Sequence, residues 1–138
     1  MATWFSYEYS TDIAATRHFY GELVGLEQVW DTADDIAFVH DCVQLTFHRV
    51  DSVEQPDDWA HQPGWADGQL PDAPATRPVR SVSIALPPAA FRDAVARLRA
   101  AGVKTLRPEP FWVGYWSFVV QDPNRLTVEL TDPNSPPP

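Results

Sequence analysis

The sequence predicts an α+β fold built from two modules with the same element order, β-α-β-β-β. Three observations carry this prediction. Short segments of alternating apolar and polar residues, typical of strands, stand before and after two helix-like segments. Each helix-like segment ends at a glycine, Gly25 or Gly102. The whole order of elements recurs from Arg80 onward, although the letters barely repeat.

The first module is predicted to span residues 1–50. Trp4 to Ser10 alternates as a strand, and Asp12 is a suitable N-cap for the helix that follows. One face of this helix carries Ile13, Thr16, Phe19, Tyr20 and Leu23. Three further strands are predicted at Leu26–Trp30, Ile36–His40 and Val43–Val50.

The second module is predicted to span residues 79–132. A strand at Ser81–Leu86 leads through Pro87 and Pro88 into a helix, because proline suits a first helical turn. The apolar face of this helix carries Phe91, Ala94, Val95, Leu98 and Ala101. Strands are predicted at Thr105–Trp112, Tyr115–Gln121 and Leu126–Thr131.

A linker, residues 51–78, joins the two modules and is rich in proline and aspartate. Structureless connections of this length are usually functional or disordered. Its two tryptophans, Trp59 and Trp65, favour packing of part of it over a cavity or onto a partner, and a solvated connector is the alternative. Residues 133–138 are predicted to form a disordered tail.

The charge of the chain excludes some partners. Its 138 residues include 19 acidic and 10 basic residues, a net charge of -9, which repels nucleic acids and anionic membranes. Cys42 is the single cysteine, so the sequence has neither an internal disulfide framework nor a cysteine-rich zinc site. There is no run of 18 apolar residues and no secretory signal pattern, so a cytoplasmic protein is expected.

The end of the second module presents one carboxylate on a short strand. Asp122 and Pro123 suit the first two positions of a type I turn, so the flanking strands are expected to form a hairpin. Alternation then directs Val128 and Leu130 to one face and Glu129 to the other. A carboxylate in that position is a ligand, a base or a solvated edge residue.

Other candidate residues lie on the predicted strands. His48 shares a strand face with Gln44 and Thr46, where it either lines a cavity or faces water at the rim. The neighbours His40, Asp41 and Cys42 are predicted to form a hairpin turn instead of a catalytic cluster. The aromatic residues that flank the expected cavity serve either as core or as stacking walls: Tyr7, Tyr9, Trp112, Tyr115 and Trp116.

Three of these segments together resemble the vicinal oxygen chelate superfamily of glyoxalase I, extradiol dioxygenases and bleomycin-resistance proteins. Asp12 with Phe19-Tyr20 and the segment GELVGL resembles the first helix of that family, FRDAVARLRAAGV its second helix, and DPNRLTVEL its terminal hairpin. The resemblance covers about residues 3–132 without the linker. It implies a curled mixed sheet around a cavity, metal ligands on the first and last strands of each module, and a homodimer.

The four ligand places that the resemblance implies fall on Phe5, Gln44, Ser83 and Glu129. Only Glu129 is a good ligand, because Phe5 has no lone pair and the other two are weak neutral donors. A shift of the first strand by one residue would instead bury Phe5, Tyr7 and Tyr9 and turn Glu8 toward Glu129 and His48 as a substitute site. Arg125 occupies the position of the terminal turn where the resemblance leads us to expect a glycine. Either Asn124 supplies the left-handed conformation instead, or the turn differs.

The sequence therefore predicts a metal-free protein, without a cofactor, that binds a small cationic or aromatic ligand and resembles the drug-sequestering branch of the family. The predicted lining is Tyr7, Tyr9, Gln44, Thr46, His48, Ser83, Trp112, Trp116 and Glu129. The alternative is a lyase, isomerase or dioxygenase that uses a divalent metal held by Glu129 with His48 or Glu8. A module that has lost its cavity and serves only for interaction is a third option.

Overall fold

The strand β1 (Trp4–Ser10) lies at the edge of a four-stranded sheet and runs parallel to β4. A computed structural model describes Ala2, residues 4–54, Trp59 and residues 81–138. The chain forms two compact units, Met1–Gln55 and Pro56–Pro138. In the first unit the sheet order is β1-β4-β3-β2, and the other strands are β2 (Glu27–Asp31), β3 (Asp35–His40) and β4 (Val43–Arg49).

The first helix begins as predicted at Asp12, whose carboxylate accepts a hydrogen bond from the amide of Ala15 at 3.0 Å. Helix α1 (Ile13–Arg17) continues as a π-helical segment, His18–Val24, a widening that the sequence did not predict. Gly25 ends it with a left-handed φ of 88°, a conformation that glycine adopts without steric cost.

The second unit repeats this arrangement with the sheet order β5-β8-β7-β6. Its elements are β5 (Val82–Ala85), α2 (Pro88–Ala100), β6 (Phe111–Trp112), β7 (Trp116–Gln121) and β8 (Thr127–Asp132). In both units the first strand runs parallel to the last one, and the remaining pairs are antiparallel. The α+β class and the two βαβββ modules are confirmed.

The predicted strand Thr105–Trp112 is wrong over most of its length. Only Phe111 and Trp112 pair as a strand, and Thr105 makes one isolated bridge to Val120. Pro108 and Pro110 explain the difference, since proline has no amide hydrogen to donate to a ladder.

The terminal hairpin turn keeps a left-handed residue, and that residue is Arg125, with φ 62°. Its amide donates to the carbonyl of Asp122 at 3.0 Å, as in the predicted turn. The Asp122 carboxylate accepts from the amides of Asn124 and Leu126, both at 2.8 Å. These bonds hold the loop in a conformation that costs a non-glycine residue energy.

The register of β1 is the unshifted one. Phe5 pairs with Gln44, Tyr7 with Thr46 and Tyr9 with His48. Ser10 lies on the helix side, where its hydroxyl is 2.9 Å from that of Thr16. The alternative register, which would have buried the aromatic residues of β1, is therefore wrong.

The cores follow the predicted helix faces. The ring of Tyr20 is fully buried and packs against Phe38 and Phe47, with centroid distances of 5.6 and 4.9 Å. In the second unit, α2 packs against β8 and buries Phe91, Ala94, Val95 and Leu98. Each unit thus has one sheet face covered by its own helix.

The residues after β8 make specific contacts, in contrast to the predicted disordered tail 133–138. The Asp132 carboxylate accepts hydrogen bonds from the amides of Asn134 and Ser135 at 2.9 and 3.0 Å. Burial alone would raise the pKa of Asp132, but the bonds from Ser135 and Asn134 and the charge of Arg92 outweigh it and lower that pKa. Most of the predicted linker 51–78, including Trp65, lies outside the described residues.

Candidate functional site

Each sheet has a face that points away from its own helix, which we call its helix-distal face. The strand pairing sets two pairs of residues at equivalent places on these faces. Phe5 pairs with Gln44 in the first unit, and Ser83 pairs with Glu129 in the second. These are the four positions that the sequence suggested as ligand places, and each unit holds two of them.

Glu129 is the carboxylate at the centre of the helix-distal face of the second unit. The hydroxyl of Ser117 donates a hydrogen bond to its Oε1 at 2.9 Å. The hydroxyl of Tyr115 also hydrogen bonds to this carboxylate. Within the described part of the chain, its partners are thus two neutral hydroxyl groups and no cation. Among the described residues, the negative charge of Glu129 is therefore stabilised by hydrogen bonds and by no positive charge.

The surroundings of Glu129 also change the chemistry of Tyr115. Burial of the phenol raises its pKa, and the negative charge of Glu129 and the hydrogen bond to it raise that pKa further. Tyr115 therefore stays protonated and acts as a hydrogen-bond donor at neutral pH.

An apolar cluster lies beside this carboxylate. Val119 pairs with Glu129 across the strands and packs with Phe111, and Trp59, Leu106 and Val113 pack against these two. The Nζ of Lys104 lies 5.1 Å from the ring centre of Trp59. Trp59 thus belongs to the packed part of the second unit, as the sequence allowed for the linker tryptophans.

The helix-distal face of the first unit is aromatic and accessible. Phe5, Tyr7 and Tyr9 are 50%, 71% and 58% exposed, and the rings of Phe5 and Tyr7 are stacked with centroids 6.5 Å apart. Gln44 and Thr46 lie beside them and are joined by a hydrogen bond from Nε2 to Oγ1 at 3.3 Å. Exposed rings in a row offer stacking surfaces to a planar guest.

His48 lies on the same face and forms a pair with Asp35 of the neighbouring strand. Its Nδ1 is 2.5 Å from Oδ1 of Asp35, and both side chains are more than one third exposed. A carboxylate at Nδ1 favours the tautomer with the proton on that nitrogen, which leaves the lone pair of Nε2 to accept a proton or a hydrogen bond. Asp35 is a partner that sequence reasoning missed, and it follows from the hairpin register that sets Asp35 opposite His48.

Three of the predicted site residues point elsewhere. Trp112 and Trp116 pair with each other on the side of the second sheet opposite Ser117 and Glu129. Glu8 pairs with Phe47 on the helix side of the first sheet, so it is on the opposite face from His48. The structure therefore does not group Trp112 and Trp116 with Glu129, nor Glu8 with His48.

Two residues that hydrogen bond to Glu129 were not among the predicted site residues. Tyr115 was recognised only as one of the aromatic residues that flank the expected cavity, as core or as a stacking wall, and Ser117 was not recognised at all. Alternation along β7 from Trp116, combined with the register of the terminal hairpin, is the signal that identifies Ser117. His40, Asp41 and Cys42 lie at the β3–β4 turn, as predicted, with Asp41 at φ 50° and Cys42 exposed.

The residues at the four ligand places do not fit a divalent transition metal. Such ions in proteins are held by imidazole, carboxylate or thiolate groups. A phenyl ring, an amide and a hydroxyl occupy three of the four positions, and only Glu129 carries a suitable group. Of the residues that the structure describes, no three His, Cys, Asp or Glu side chains form a group able to hold a metal ion.

Comparisons with known proteins agree with this architecture. The family model described as Glyoxalase/Bleomycin resistance protein/Dioxygenase superfamily matches residues 9–130. The chain belongs to this superfamily, as the sequence motifs suggested. A search of curated proteins finds no match to the sequence. In the described part of the chain, no helix has the length and apolar character required to cross a membrane.

Solved structures show the same fold at low sequence identity. A glyoxalase/dioxygenase from Nostoc punctiforme is 17% identical with a TM-score of 0.70, covering 93% of this chain and 88% of its own. A fosfomycin resistance protein from Mesorhizobium loti is 11% identical with a TM-score of 0.61, covering 96% and 90%. A lactoylglutathione lyase from Agrobacterium tumefaciens is 19% identical with a TM-score of 0.55, covering 95% and 92%. Identities this low establish the fold and leave the activity to the site itself.

Proposed function

We propose that this protein is a metal-free, small-molecule binding protein of the glyoxalase/bleomycin-resistance type, with Glu129 as the polar anchor of the ligand. The observation that carries the proposal is the environment of Glu129. Two hydroxyl donors hold the carboxylate, and Ser83, which pairs with Glu129 in the same unit, is only a weak neutral donor. This arrangement can receive a ligand directly, but it lacks the donors for a transition metal.

The charge of Glu129 favours a cationic ligand, and the rings of the first unit, considered separately, favour a planar one. A half-buried carboxylate whose partners among the described residues are neutral gains most from a ligand that brings a positive charge. The net charge of -9 attracts cations toward the protein. Independently, the exposed rings of Phe5, Tyr7 and Tyr9 offer faces to a planar or cationic group.

The test compares a charged ligand with its neutral counterpart. We expect N-methylacridinium to quench the tryptophan fluorescence saturably and to bind more tightly than neutral acridine at alkaline pH. Glu129→Gln should weaken binding of the cation by about 10- to 100-fold, because N-methylacridinium has no hydrogen-bond donor and the substitution removes a charge attraction of about 1–4 kcal/mol at contact distance.

Glu22→Gln is the matched control, since it removes the same charge from an exposed helix position where Glu22 pairs with His18. It should leave the affinity unchanged. Equal weakening by both substitutions would mean that Glu129 attracts the ligand only through the overall negative charge of the protein and does not contact it. The absence of saturable quenching by either ligand at millimolar concentration would reject the binding role.

The His48–Asp35 pair favours a second candidate, an enzyme of the lyase or isomerase type. An imidazole oriented by a carboxylate can accept a proton at Nε2. In deuterated water, such an enzyme would exchange protons next to the carbonyl group of small ketoacids, which proton NMR detects. His48→Gln would abolish this exchange, while His18→Gln, at an exposed helix position, would retain it.

The metal-dependent form of this candidate, including a dioxygenase, is tested separately by elemental analysis of protein purified without chelator. A stoichiometric transition metal that is lost in Glu129→Gln would favour that enzyme over the binding protein.

A homodimer completes the proposal, because the superfamily resemblance implies one. Light scattering after size exclusion should give twice the monomer mass of 15.5 kDa. A single species at the monomer mass across micromolar concentrations would contradict it. The cytoplasmic location stays a prediction.

A further inference from the structure

The segment after β8 is folded back by a turn that Asp132 organises. Asp132 is buried, pairs with Trp116 across the strands, and accepts the amides of Asn134 and Ser135. These bonds turn the chain immediately after the strand. They direct the proline run Pro136–Pro138 back to the sheet at Trp116.

The tail meets Trp116 there, and Trp112 lies against the ring of Trp116. The indole Nε1 of Trp116 donates a hydrogen bond to the carbonyl of Pro136 at 2.8 Å. The ring of Trp112 meets that of Trp116 edge to face, with centroids 5.7 Å apart and an angle of 73° between the rings. Both tryptophans are only half-buried, and Pro136 remains exposed, so the contact lies at the surface.

This contact has the chemistry by which aromatic surfaces bind proline-rich strands. A proline residue has no amide hydrogen, so its carbonyl is its only backbone hydrogen-bonding group, and a tryptophan indole is a donor only. Proline-rich segments also hold the extended polyproline II conformation before binding, which reduces the entropy that they lose. The Trp116–Pro136 bond matches a donor-only ring with an acceptor-only backbone.

We propose that Trp112 and Trp116 form a binding surface for proline-rich strands, and that this chain occupies it with its own residues 133–138. An external polyproline II segment is the partner that this surface fits. Because the tail competes as an attached ligand, it lowers the apparent affinity for that partner. The surface lies on the opposite side of the second sheet from Glu129, so it is distinct from the proposed ligand site.

The test uses the full chain with Pro136→Gly, Pro137→Gly and Pro138→Gly combined, titrated with an oligoproline peptide. We expect the peptide to bind this variant about fivefold more tightly than the unaltered chain, because glycine keeps the carbonyl at position 136 but loses the fixed extended backbone that holds it at Trp116. The indole Nε1–H resonance of Trp116, followed by proton–nitrogen NMR, should shift on loss of the prolines and shift back on addition of peptide. A glycine–serine peptide of equal length should not bind.

Trp116→Phe in the same triple variant keeps a ring and removes the donor, so peptide affinity should fall. Trp30→Phe, at a 43% exposed tryptophan of the first unit, is the matched control and should leave affinity unchanged. The proposal is overturned if millimolar oligoproline shows no saturable binding to the triple variant. It is also overturned if the glycine–serine peptide binds equally well, or if the chemical shift of the Trp116 indole does not change in the triple variant.

Discussion

The two units have the same strand order, yet their helix-distal faces differ in almost every property. The face of the first unit carries a row of accessible rings, Phe5, Tyr7 and Tyr9, with the pair His48–Asp35 at its side. The face of the second unit carries Glu129, held by two hydroxyl groups and set beside an apolar cluster. The same backbone therefore supports a stacking surface in one unit and a charged anchor in the other.

The difference between these faces shows where the fold and the function reside in this chain. On the helix side, the central strands of both sheets are apolar, as at Phe38 in the first unit and Leu130 in the second, because burial against a helix demands it, whereas the edge strand β1 also carries Glu8 and Ser10 there. On the helix-distal side, the paired positions are Phe5–Gln44 in one unit and Ser83–Glu129 in the other. Packing on the helix side thus preserves the repeated backbone, whereas the residues on the helix-distal side can differ between the two units.

The largest expected effect is on the helix side. Phe38 is fully buried against Tyr20, so Phe38→Ala should destabilise the first unit by about 3–5 kcal/mol through lost burial and the cavity that remains. Urea denaturation measures this loss. Phe5→Ala is the matched control in the same sheet, and since Phe5 is half exposed it should cost far less. Equal losses would show that the two faces do not differ as described.

A smaller, stabilising effect is expected at the terminal turn of the second unit. Arg125 holds a left-handed φ that costs a non-glycine residue about 1–2 kcal/mol, so Arg125→Gly should stabilise the protein by roughly 1 kcal/mol. Thermal unfolding should show a higher Tm. Asp41→Gly at the corresponding turn of the first unit should gain less, because aspartate tolerates this conformation better. A lower Tm for Arg125→Gly would mean that the arginine side chain contributes more than the strain costs.

The smallest expected effect is a titration shift beside Glu129. Because the pKa of Tyr115 is raised, the folded protein keeps this proton at a pH where the unfolded chain loses it. The resulting stability is present below the ordinary pKa of tyrosine, about 10, and is lost as the pH rises through the raised value.

Glu129→Gln should lower the pKa of Tyr115, but not fully to its ordinary value, because burial is the largest cause of the shift. Phenolate absorbance, assigned by its loss in Tyr115→Phe, measures this change. An unchanged pKa of Tyr115 in Glu129→Gln would show that Tyr115 and Glu129 do not interact.

Much of the fold could be predicted from the sequence, because alternation and capping are local signals. The N-cap Asp12, the closing glycines and the bounds of β1 are confirmed. The strand at Thr105 failed because apolar residues around Pro108 and Pro110 imitate a strand that proline cannot pair. The tail after Asp132 was expected to be disordered because composition does not reveal a single indole donor that meets a proline carbonyl.

The candidate site was only partly predictable, since it depends on which strands lie next to each other. Glu129 was identified from alternation alone. Hairpin register decides that Ser117 and Tyr115 meet Glu129 and that Asp35 meets His48. An error of one residue in that register would move these side chains to the other face of the sheet. Trp112 and Trp116 were grouped with Glu129 because their strands were expected to flank the cavity, whereas alternation along β7 puts them on the other side.

The central claim is that Glu129 binds a cationic ligand directly, without a metal ion. Calorimetric titration of N-methylacridinium into chelator-treated protein, and into the same protein supplied with divalent zinc, nickel, manganese or iron, tests it most directly. We predict equal affinity in all of these samples and loss of affinity in Glu129→Gln. Binding that vanishes with the chelator and returns with one of the metals would contradict the claim.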